Sequence, residues 1–464
     1  TERQGGSDVR ANEMLAKPLS NGEVELQGEK WFCSAPMCDA FLVLAQAPDG
    51  LTCFLVPRVL DDGTRNPLRV QRLKDKLGNR SNASAEIELA ETWEPRLTAS
   101  VYEPALRPAG EKPGALAGMA LTERQGGSDV RANEMLAKPL SNGEVELHGE
   151  KWFCSAPMCD AFLVLAQAAG GLSCYLAPRL LPDGSRNHFH IQRLKDKLGN
   201  RSNASAEIEL AGAWGRLVGE EGRGVPTIAE MINHTRLDCL LGSTALMRRA
   251  VAEATHHAAH RSAFGKLLAE QPLMQNVLAD LCVEAEAATA TAMRIARSYD
   301  EEDAAFRRLA TAVGKYWLCK VAPGVVGEAL ECIGGNGYVE ESVLPRLYRE
   351  APLNSIWEGS GNVNALDVLR VIRKEPEALE RFLAELEPEF RPELADVNEF
   401  GARRLVESLA LALQGSLLAL HAPPEIADAF ANTRLRRDKG RAYGTLTESA
   451  HAAVILDRHR PRLD

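Results

Sequence analysis

A glutamate stands between a tryptophan and a glycine in the sequence SIWEGSGN, which spans residues 355–362. A carboxylate confined by a bulky ring could act as a general base and remove a proton from a bound substrate. Carboxylates near the start of a helix also commonly complement the helix dipole and have no catalytic role. The motif makes Glu358 a candidate catalytic base and leaves the structural alternative open.

A glycine-rich loop with the sequence TERQGGSDVRANEM occurs twice, at residues 1–14 and 122–135. Small residues let backbone N–H groups and hydroxyls approach an anionic or polar ligand closely, although a plain turn is the commoner role of such a loop. The sequence KWFCSAP follows the second loop and places Trp152 and Phe153 before a serine on a predicted strand. Such an aromatic pair usually packs in a barrel core, so each motif alone is weak evidence of a site.

Three features of the second half also have both a functional and a structural interpretation. Arg261 could hold a phosphate through two hydrogen bonds, or it could be an ordinary solvated arginine. The glycines of GGNG, residues 334–337, could contact a ligand or simply end a helix. The arginines of RLRRDKGR, residues 434–441, could bind DNA phosphates, although an exposed cationic helix end is the commoner case.

Three histidines, His256, His257 and His260, include a pair spaced four residues apart on a predicted helix. That spacing places two imidazoles on one face, as in some metal sites. No glutamate accompanies them in the arrangement H-E-x-x-H. We therefore predict no metal site.

The elements that must position these motifs change character near residue 224. Residues 1–93, the first copy, align without gaps to residues 122–214, the second copy, with 15 differences in 93 positions. Each copy alternates apolar and polar residues in short runs between turn residues, which predicts an antiparallel β-barrel or sandwich. Beyond residue 224 apolar residues recur at intervals of three and four, which predicts helices.

The sequence therefore predicts an α+β fold in five parts. These are a β-domain at 1–93, a Pro- and Gly-rich connector at 94–121, a second β-domain at 122–224, a helical bundle at 225–373 and a helical tail at 374–464. The tail opens with nine acidic and three basic residues over 374–399, which we expect to form a solvated helical connector.

Composition sets further limits. The chain has 464 residues, a net charge of −10 and 45% hydrophobic residues, as expected for a globular protein of two to four domains. No apolar run approaches the roughly 20 residues of a membrane-spanning helix, so we predict no membrane partner. The ten cysteines lie mostly in apolar runs without a C-x-x-C pair, which indicates buried thiols and a cytoplasmic location. Because the chain begins without Met or a signal pattern, we expect it to be a fragment.

The order of the motifs is far more specific than any one of them. TERQGGSD, GEKWFCS, KLGNRSNAS, GEEGRG, RSAFGKLL, GGNGY and IWEGSGN together resemble the acyl-CoA dehydrogenase flavoprotein family. The forms RLKDKLGNRSNAS and SIWEGSGN are similar to its AidB-like branch, which belongs to the adaptive response to DNA alkylation. The resemblance implies that both β-domains are copies of the family's middle domain, followed by its C-terminal four-helix bundle and an AidB-like tail. It also implies FAD, an acyl-CoA substrate and a homodimer or homotetramer.

The resemblance assigns roles to individual residues. Glu358 matches the catalytic base, Thr122 a residue near the flavin ring, and Ser128 a residue near the FAD pyrophosphate. Arg261 and Phe264 match residues that a neighbouring subunit contributes to FAD. The full set of residues implied to bind the cofactor is Met119, Leu121, Thr122, Gly127, Ser128, Phe153, Cys154, Ser155, Arg261, Phe264, Gly334, Gly335, Trp357, Gly359, Gly361 and Asn362.

The front of the chain departs from the family pattern, because the first copy stands where the family has an N-terminal helical domain. The first copy has no helical bundle of its own, so Thr1 and Ser7 lack the partners that would complete a flavin site. We therefore expect one FAD per chain, at the second copy. We also expect an apolar face of the first copy to be exposed.

Three functions follow from these observations as alternatives. The first is an FAD-dependent acyl-CoA dehydrogenase. The second is a DNA-associated alkylation-response flavoprotein that binds double-stranded DNA and has only residual dehydrogenase activity. The third is a non-functional product of a rearranged gene.

Overall fold

The computed structural model describes residues 14–19, 24–27, 40–48, 50–57, 93–140, 144–301, 303–394, 398–436, 440–446 and 449–460. The chain forms two compact units, Thr1–Leu116 and Ala117–Asp464. Within the described part of the chain, none of the helices combines the length and apolar character that a membrane span requires.

The first unit contains a four-stranded sheet made of β1 (Leu15–Pro18), β2 (Val24–Gln27), β3 (Ala40–Ala47) and β4 (Gly50–Pro57). Its strands are ordered β2-β1-β3-β4, with β1 and β3 parallel and the other neighbours antiparallel. Met14, Ala16 and Ala45 form a small buried cluster against it. A short helix, α1 (Glu94–Leu97), and a 3-10 turn (Ala109–Glu111) complete the described part of this unit.

The second unit begins with a seven-stranded sheet. Its strands are β5 (Ala117–Ala120), β6 (Leu136–Pro139), β7 (Glu144–Ser155), β8 (Ala161–Ala168), β9 (Gly171–Pro178), β10 (Phe189–Leu194) and β11 (Ser205–Val218). Strands β11, β7, β6, β8 and β9 pair in a closed ring, which confirms the predicted barrel. Alternate residues such as Leu147, Phe162, Tyr175 and Ile208 fill its core. The segment expected to be a connector ends in β5, which pairs parallel to β8.

The predicted helical bundle follows the barrel. Its four main helices are α2 (Gly224–His260), α3 (Pro272–Asp300), α4 (Ala304–Ile333) and α7 (Gly361–Lys374). A hairpin of β12 (Ser262–Ala263) and β13 (Lys266–Leu267) joins α2 to α3, and the short helices α5 (Gly335–Tyr338) and α6 (Leu344–Glu350) join α4 to α7. Apolar side chains of the four main helices share one core, to which Leu240, Leu281, Val313 and Val368 belong.

The barrel and the bundle meet where α2 begins. Leu165 and Cys174 of the barrel pack against Ile228 of α2 in one buried cluster. At Gly224, the first residue of α2, a Cβ atom would lie 2.7 Å from the carbonyl carbon of Ser173. This close packing fixes α2, and with it the bundle, against the strands of the second copy.

The tail packs on the bundle core. Its elements are α8 (Pro376–Ala384), α9 (Ala402–His421), α10 (Pro424–Phe430), a π-helical turn (Ala431–Leu435) and α11 (Ala452–His459). The acidic stretch is helical over α8, as expected, but the expectation that it is a solvated connector is wrong for one face of this helix. Ala378 and Phe382 of α8 are buried, and the Phe382 ring stacks on Phe306 of α4 with centroids 5.9 Å apart. The high acid count obscured two apolar residues on one helical face.

The expectation of an exposed cationic helix end at 434–441 is wrong for Arg434. Its side chain is 5% exposed and forms ion pairs with Asp280 at 2.5 Å and Glu284 at 3.0 Å. Two carboxylates on α3 thus draw this arginine into the interior. Arg436 and Arg441 are exposed, and the other cationic residues of the motif lie outside the described residues.

Candidate functional site

Two of the sequence motifs meet at one edge of the barrel. Thr122 and Phe153 are paired in an antiparallel β-bridge, and the Trp152 N–H donates to the Thr122 carbonyl at 2.8 Å. The glycine-rich loop then folds back on its own first residue, since a Cβ atom at Gly127 would lie 2.5 Å from Thr122 Oγ1. Ser128 is exposed at the end of this turn. The loop therefore presents a hydroxyl and a small-residue cradle beside an aromatic ring.

A buried ion pair holds the glycine-rich loop in place. Lys151 Nζ lies 2.6 Å from Glu123 Oε1, with side chains 0% and 5% exposed. Glu123 also accepts from the backbone N–H groups of Glu134 and Met135, and Lys151 donates to the Leu165 carbonyl. Burial lowers the pKa of Lys151 to about 8, and the attraction of Glu123 opposes that fall. Both ends of the loop are thus tied to one carboxylate.

The interpretation of the aromatic pair as barrel core is wrong for Phe153, whose side chain is 47% exposed. Lys195 Nζ lies 3.4 Å from the ring centroid of Trp152 and 4.7 Å from that of Phe153, and it forms an ion pair with Glu207. By contrast, the Cys154 thiol is fully buried in the barrel core, and burial raises its pKa to about 12. Because its side chain points into the barrel core, Cys154 could contact a cofactor only through its backbone.

Three other residues of the predicted set surround this loop. Met119 lies in β5, Leu121 packs against the contact between barrel and bundle, and Ser155 ends β7. All three side chains are partly buried. Their positions are compatible with a ligand against the loop.

Glu358 lies in the turn between α6 and α7, and its backbone has a φ of 55°, in the left-handed region. The Thr235 hydroxyl of α2 donates to Glu358 Oε2 at 2.5 Å. The N-cap of α7 is Ser360, so the Glu358 carboxylate does not cap that helix. Trp357 beside it is fixed by a hydrogen bond from its Nε1 to Asn354 at 3.1 Å. The carboxylate is therefore oriented by a side chain of the bundle.

A buried lysine holds the backbone on both sides of Glu358. Lys315 of α4, which is 1% exposed, donates to the Trp357 carbonyl at 2.8 Å and also to the Gly359 carbonyl. Burial lowers the pKa of Lys315, an effect that nearby thiols and the Glu358 charge oppose.

Two further side chains hold the same turn. Arg236 Nε donates to the Glu358 carbonyl at 3.1 Å. Asn364 Nδ2 donates to the carbonyls of Gly359 and Ser360 at 2.7 and 3.0 Å. With Lys315, these residues bind four consecutive carbonyl oxygens.

Asp367 anchors this arrangement in the bundle. Its carboxylate pairs with Arg236 of α2 at 2.7 Å and with Arg308 of α4 at 3.0 Å. Burial alone would raise the pKa of Asp367, but the charges of Arg308 and Arg236 hold it far below its ordinary value. The ion cluster ties three helices together beneath the Glu358 turn.

The hairpin after α2 is exposed. Arg261 is the C-cap of α2, and Phe264 lies at the hairpin turn with a φ of 52° and a side chain 97% exposed. Gly334, with a φ of 70°, ends α4, and Gly335 begins α5. A Cβ atom at either glycine would meet nothing within 4 Å, so open space surrounds both.

Four non-glycine residues in the described part of the chain have a left-handed φ: Ala156, Asn200, Phe264 and Glu358. Each lies in one of the motifs found in the sequence, namely KWFCSAP, KLGNRSNAS, RSAFGKLL and IWEGSGN. Such conformations cost about 1–3 kcal/mol each and concentrate at functional sites. The strained positions thus coincide with the motifs.

The structure brings the predicted site residues together in groups. The first group is the glycine-rich loop with Phe153, the second is the Glu358 turn, and the third is the exposed hairpin. The Glu358 turn includes Gly359, whose φ is 93°, and Gly361, which begins α7. Gly334 and Gly335 lie at the end of α4 and the start of α5. Asn362 is exposed and accepts a hydrogen bond from Arg403 of the tail at 2.8 Å. Among the described residues, hydrogen bonds and ion pairs do not join one group to another.

The histidines 256 and 260 lie side by side on α2 with ring centroids 4.3 Å apart. Within the described ranges, the structure holds no group of three His, Cys, Asp or Glu side chains arranged as metal ligands.

Sequence reasoning missed the residues that hold the site. Glu123, Lys151, Thr235, Arg236 and Lys315 were not among the candidates. One available signal was the isolation of Lys315 within the apolar helical run ATAVGKYWLC. Lysine is almost never fully buried unless it has partners, so a lone lysine on an apolar face indicates a specific contact.

Comparison with known proteins gives concordant matches along most of the chain. The family described as the acyl-CoA dehydrogenase middle domain matches residues 1–92 and 118–213, and the acyl-CoA dehydrogenase C-terminal domain matches residues 222–372. The chain is 45% identical to AidB of Escherichia coli over 360 residues, which cover 74% of this chain and 66% of AidB. It therefore spans just under two thirds of that relative's length.

Solved structures agree with these matches. ACDH-11 of Caenorhabditis elegans in complex with C11-CoA is 27% identical, with a TM-score of 0.62 over 76% of this chain and 66% of that protein. An acyl-CoA dehydrogenase of Bacillus anthracis complexed with FAD shares the fold, with 20% identity and a TM-score of 0.56 over 76% of this chain and 67% of that one.

Proposed function

Because the chain belongs to the acyl-CoA dehydrogenase family, on its AidB-like branch, we propose that it binds FAD and dehydrogenates an acyl-CoA thioester with Glu358 as the base. The observation that carries this proposal is the Glu358 turn. Its carboxylate is oriented by Thr235, and its backbone is held in a strained conformation that only surrounding contacts can maintain.

The residues of the second copy fit a flavin. Thr122 and Ser128 offer hydroxyls, and Gly127 lets the loop fold closely against Thr122, where a Cβ atom would lie 2.5 Å from Thr122 Oγ1. The half-exposed ring of Phe153 offers a flat apolar surface beside them. In this proposal Thr122 and Phe153 would hold the flavin ring, and the loop carrying Ser128 would hold the pyrophosphate.

The reaction divides between the protein and the cofactor. The Glu358 carboxylate removes the proton from the α-carbon of the thioester, and the Thr235 hydroxyl keeps one carboxylate oxygen in position. Bound FAD supplies the acceptor for the hydride that leaves the β-carbon. The product is the α,β-unsaturated thioester. Trp357 forms a wall beside the base and helps to exclude water from it.

We propose that the active form is a homodimer or homotetramer. The Phe264 side chain is almost fully exposed on a strained hairpin turn, and Arg261 beside it is also exposed. An apolar ring and a guanidinium presented in this way suit a contact with a second copy of the chain, as the family resemblance implies. A cytoplasmic location remains a prediction from the cysteine pattern.

Binding of double-stranded DNA has weaker support. It rests on the likeness to AidB and on the cationic motif at 434–441. Because Arg434 is buried against Asp280 and Glu284, only Arg436 and Arg441 of the described arginines in that motif are available to a phosphate. We therefore place dehydrogenation ahead of a DNA-associated role.

The proposal is tested by Glu358→Gln. We expect the variant to keep FAD and to lose the bleaching of the flavin that acyl-CoA causes, because the amide cannot take the α-proton. Glu341→Gln, an exposed glutamate between α5 and α6, is the matched control and should bleach like the wild type. The measurement is flavin absorbance after mixing with a panel of acyl-CoAs. Bleaching of Glu358→Gln at the wild-type rate would contradict the assignment.

A further inference from the structure

The turn that carries Glu358 is held through four consecutive carbonyl oxygens, in addition to the side-chain hydrogen bonds of Trp357 and Glu358. The carbonyls of residues 357–360 all accept hydrogen bonds from side chains of the bundle, which come from three helices. Lys315 differs from the other two donors because it binds the carbonyls on both sides of Glu358.

An ammonium group in the interior is costly unless its hydrogen bonds are satisfied. Among the residues that the structure describes, Lys315 has no carboxylate in salt-bridge contact, and its partners are the carbonyls of Trp357 and Gly359. Packing alone needs no charge at this position, because an apolar side chain of similar volume would fill the space without the cost of desolvation. Burying a charge to bind two peptide carbonyls around one residue indicates that the conformation of that residue is what the charge stabilises.

We propose that Lys315 is a positioning residue that fixes the Glu358 carboxylate by binding the carbonyl groups on either side of it. The proposal rests on the proposed role of Glu358 as the base. With both flanking carbonyls fixed, the φ of 55° at Glu358 is imposed by its neighbours, and the side chain is directed to Thr235. When the lysine is removed, the turn can relax toward an unstrained φ and carry the carboxylate away from Thr235.

The test compares Lys315→Met with Lys374→Met in the full chain with FAD bound. Lys315→Met keeps an unbranched side chain and removes the three donors. Lys374 is an exposed lysine in the last turn of α7 and serves as the matched control. Two quantities are measured: amide hydrogen exchange of the peptide spanning 355–364, and the rate of flavin bleaching over a range of acyl-CoA concentrations.

For Lys315→Met we expect exchange in 355–364 to accelerate about tenfold, because buried carbonyls lose their donor. We expect the maximal bleaching rate to fall about 10- to 100-fold, because the base is misplaced. The half-saturating acyl-CoA concentration should change little, since Lys315 does not face the thioester in this account. Lys374→Met should match the wild type in both measurements.

Unchanged exchange at 355–364 in a folded Lys315→Met would overturn the proposal, as would a change in half-saturation without a change in maximal rate. If Lys315→Met does not fold, Lys315→Gln replaces it, because the shorter amide can still donate to one carbonyl and should give intermediate exchange. Failure of the proposed function is distinguishable. If acyl-CoA never bleaches the flavin of the wild-type chain, the proposed role of Glu358 as the base is refuted. The exchange experiment still reports whether Lys315 fixes the turn.

Discussion

The first and second copies differ at 15 of 93 positions, and the four described strands of the first copy pair like their counterparts in the second. Leu15 faces Gln27 across β1 and β2, as Leu136 faces His148 across β6 and β7. The β3–β4 hairpin repeats the register of β8–β9 over all eight residue pairs. Nearly identical sequence thus produces identical local pairing, because alternation and turn residues act over short distances.

The two copies differ at the surface that the helical bundle covers in the second copy. Cys174 is fully buried in the contact with Ile228, whereas its counterpart Cys53 is exposed. The expectation of an exposed apolar face on the first copy remains a prediction. The copies also diverge just beyond their last shared residue: Glu94–Leu97 form a short helix, whereas Gly215–Val218 complete β11. Pro95 lacks the N–H that a strand ladder would use. A shared sequence therefore does not entail a shared site.

The largest expected difference between the copies comes from the buried ion pair beneath the glycine-rich loop. Lys151→Met leaves the Glu123 carboxylate buried without its partner, which should cost about 3–5 kcal/mol of unfolding free energy and release FAD. The same substitution in the first copy, Lys30→Met, falls outside the described residues and should leave the flavin bound. Urea unfolding and flavin absorbance measure the two effects. Equal loss of flavin from both variants would refute a distinction between the copies.

A smaller difference between the copies, without a change in stability, is expected in the reactivity of their cysteine thiols. Cys174 is buried and its pKa is raised to about 12, so almost none of it is thiolate near neutral pH, whereas Cys53 is exposed. A maleimide should label Cys53 in the native chain and Cys174 only after unfolding, with peptide mass spectrometry as the measurement. Labelling of Cys174 as fast as Cys53 would mean that the bundle does not cover the second copy.

Much of the fold was predictable because its signals are local. The alternation in residues 144–153, 161–168 and 205–210 marked strands that the structure contains, and the change of period near residue 224 marked the bundle. The acidic stretch of the tail was predicted to be a solvated connector because its many charges concealed the pattern of two buried apolar residues. The burial of Arg434 could not be predicted, because its partners on α3 are about 150 residues earlier in the chain.

The candidate site was predictable only in part. Glu358 and the glycine-rich loop could be found because a motif marks them. The residues that hold them could not, because Lys151 and Lys315 are buried charges whose partners lie 14 to 44 positions away in the sequence. Periodicity contains no information on such pairs. A buried lysine is distinguishable from an exposed one only when the fold shows what surrounds it.

The central claim is that the chain forms one flavin site, at the second copy, although the glycine-rich loop occurs twice. The most direct test is the ratio of FAD to protein in the purified chain, compared with Phe153→Ala and with Phe32→Ala, the equivalent change in the first copy. We expect one FAD per chain in the wild type and in Phe32→Ala, and a reduced ratio in Phe153→Ala. Two FAD per chain, a colourless wild type, or loss of flavin from Phe32→Ala would contradict it.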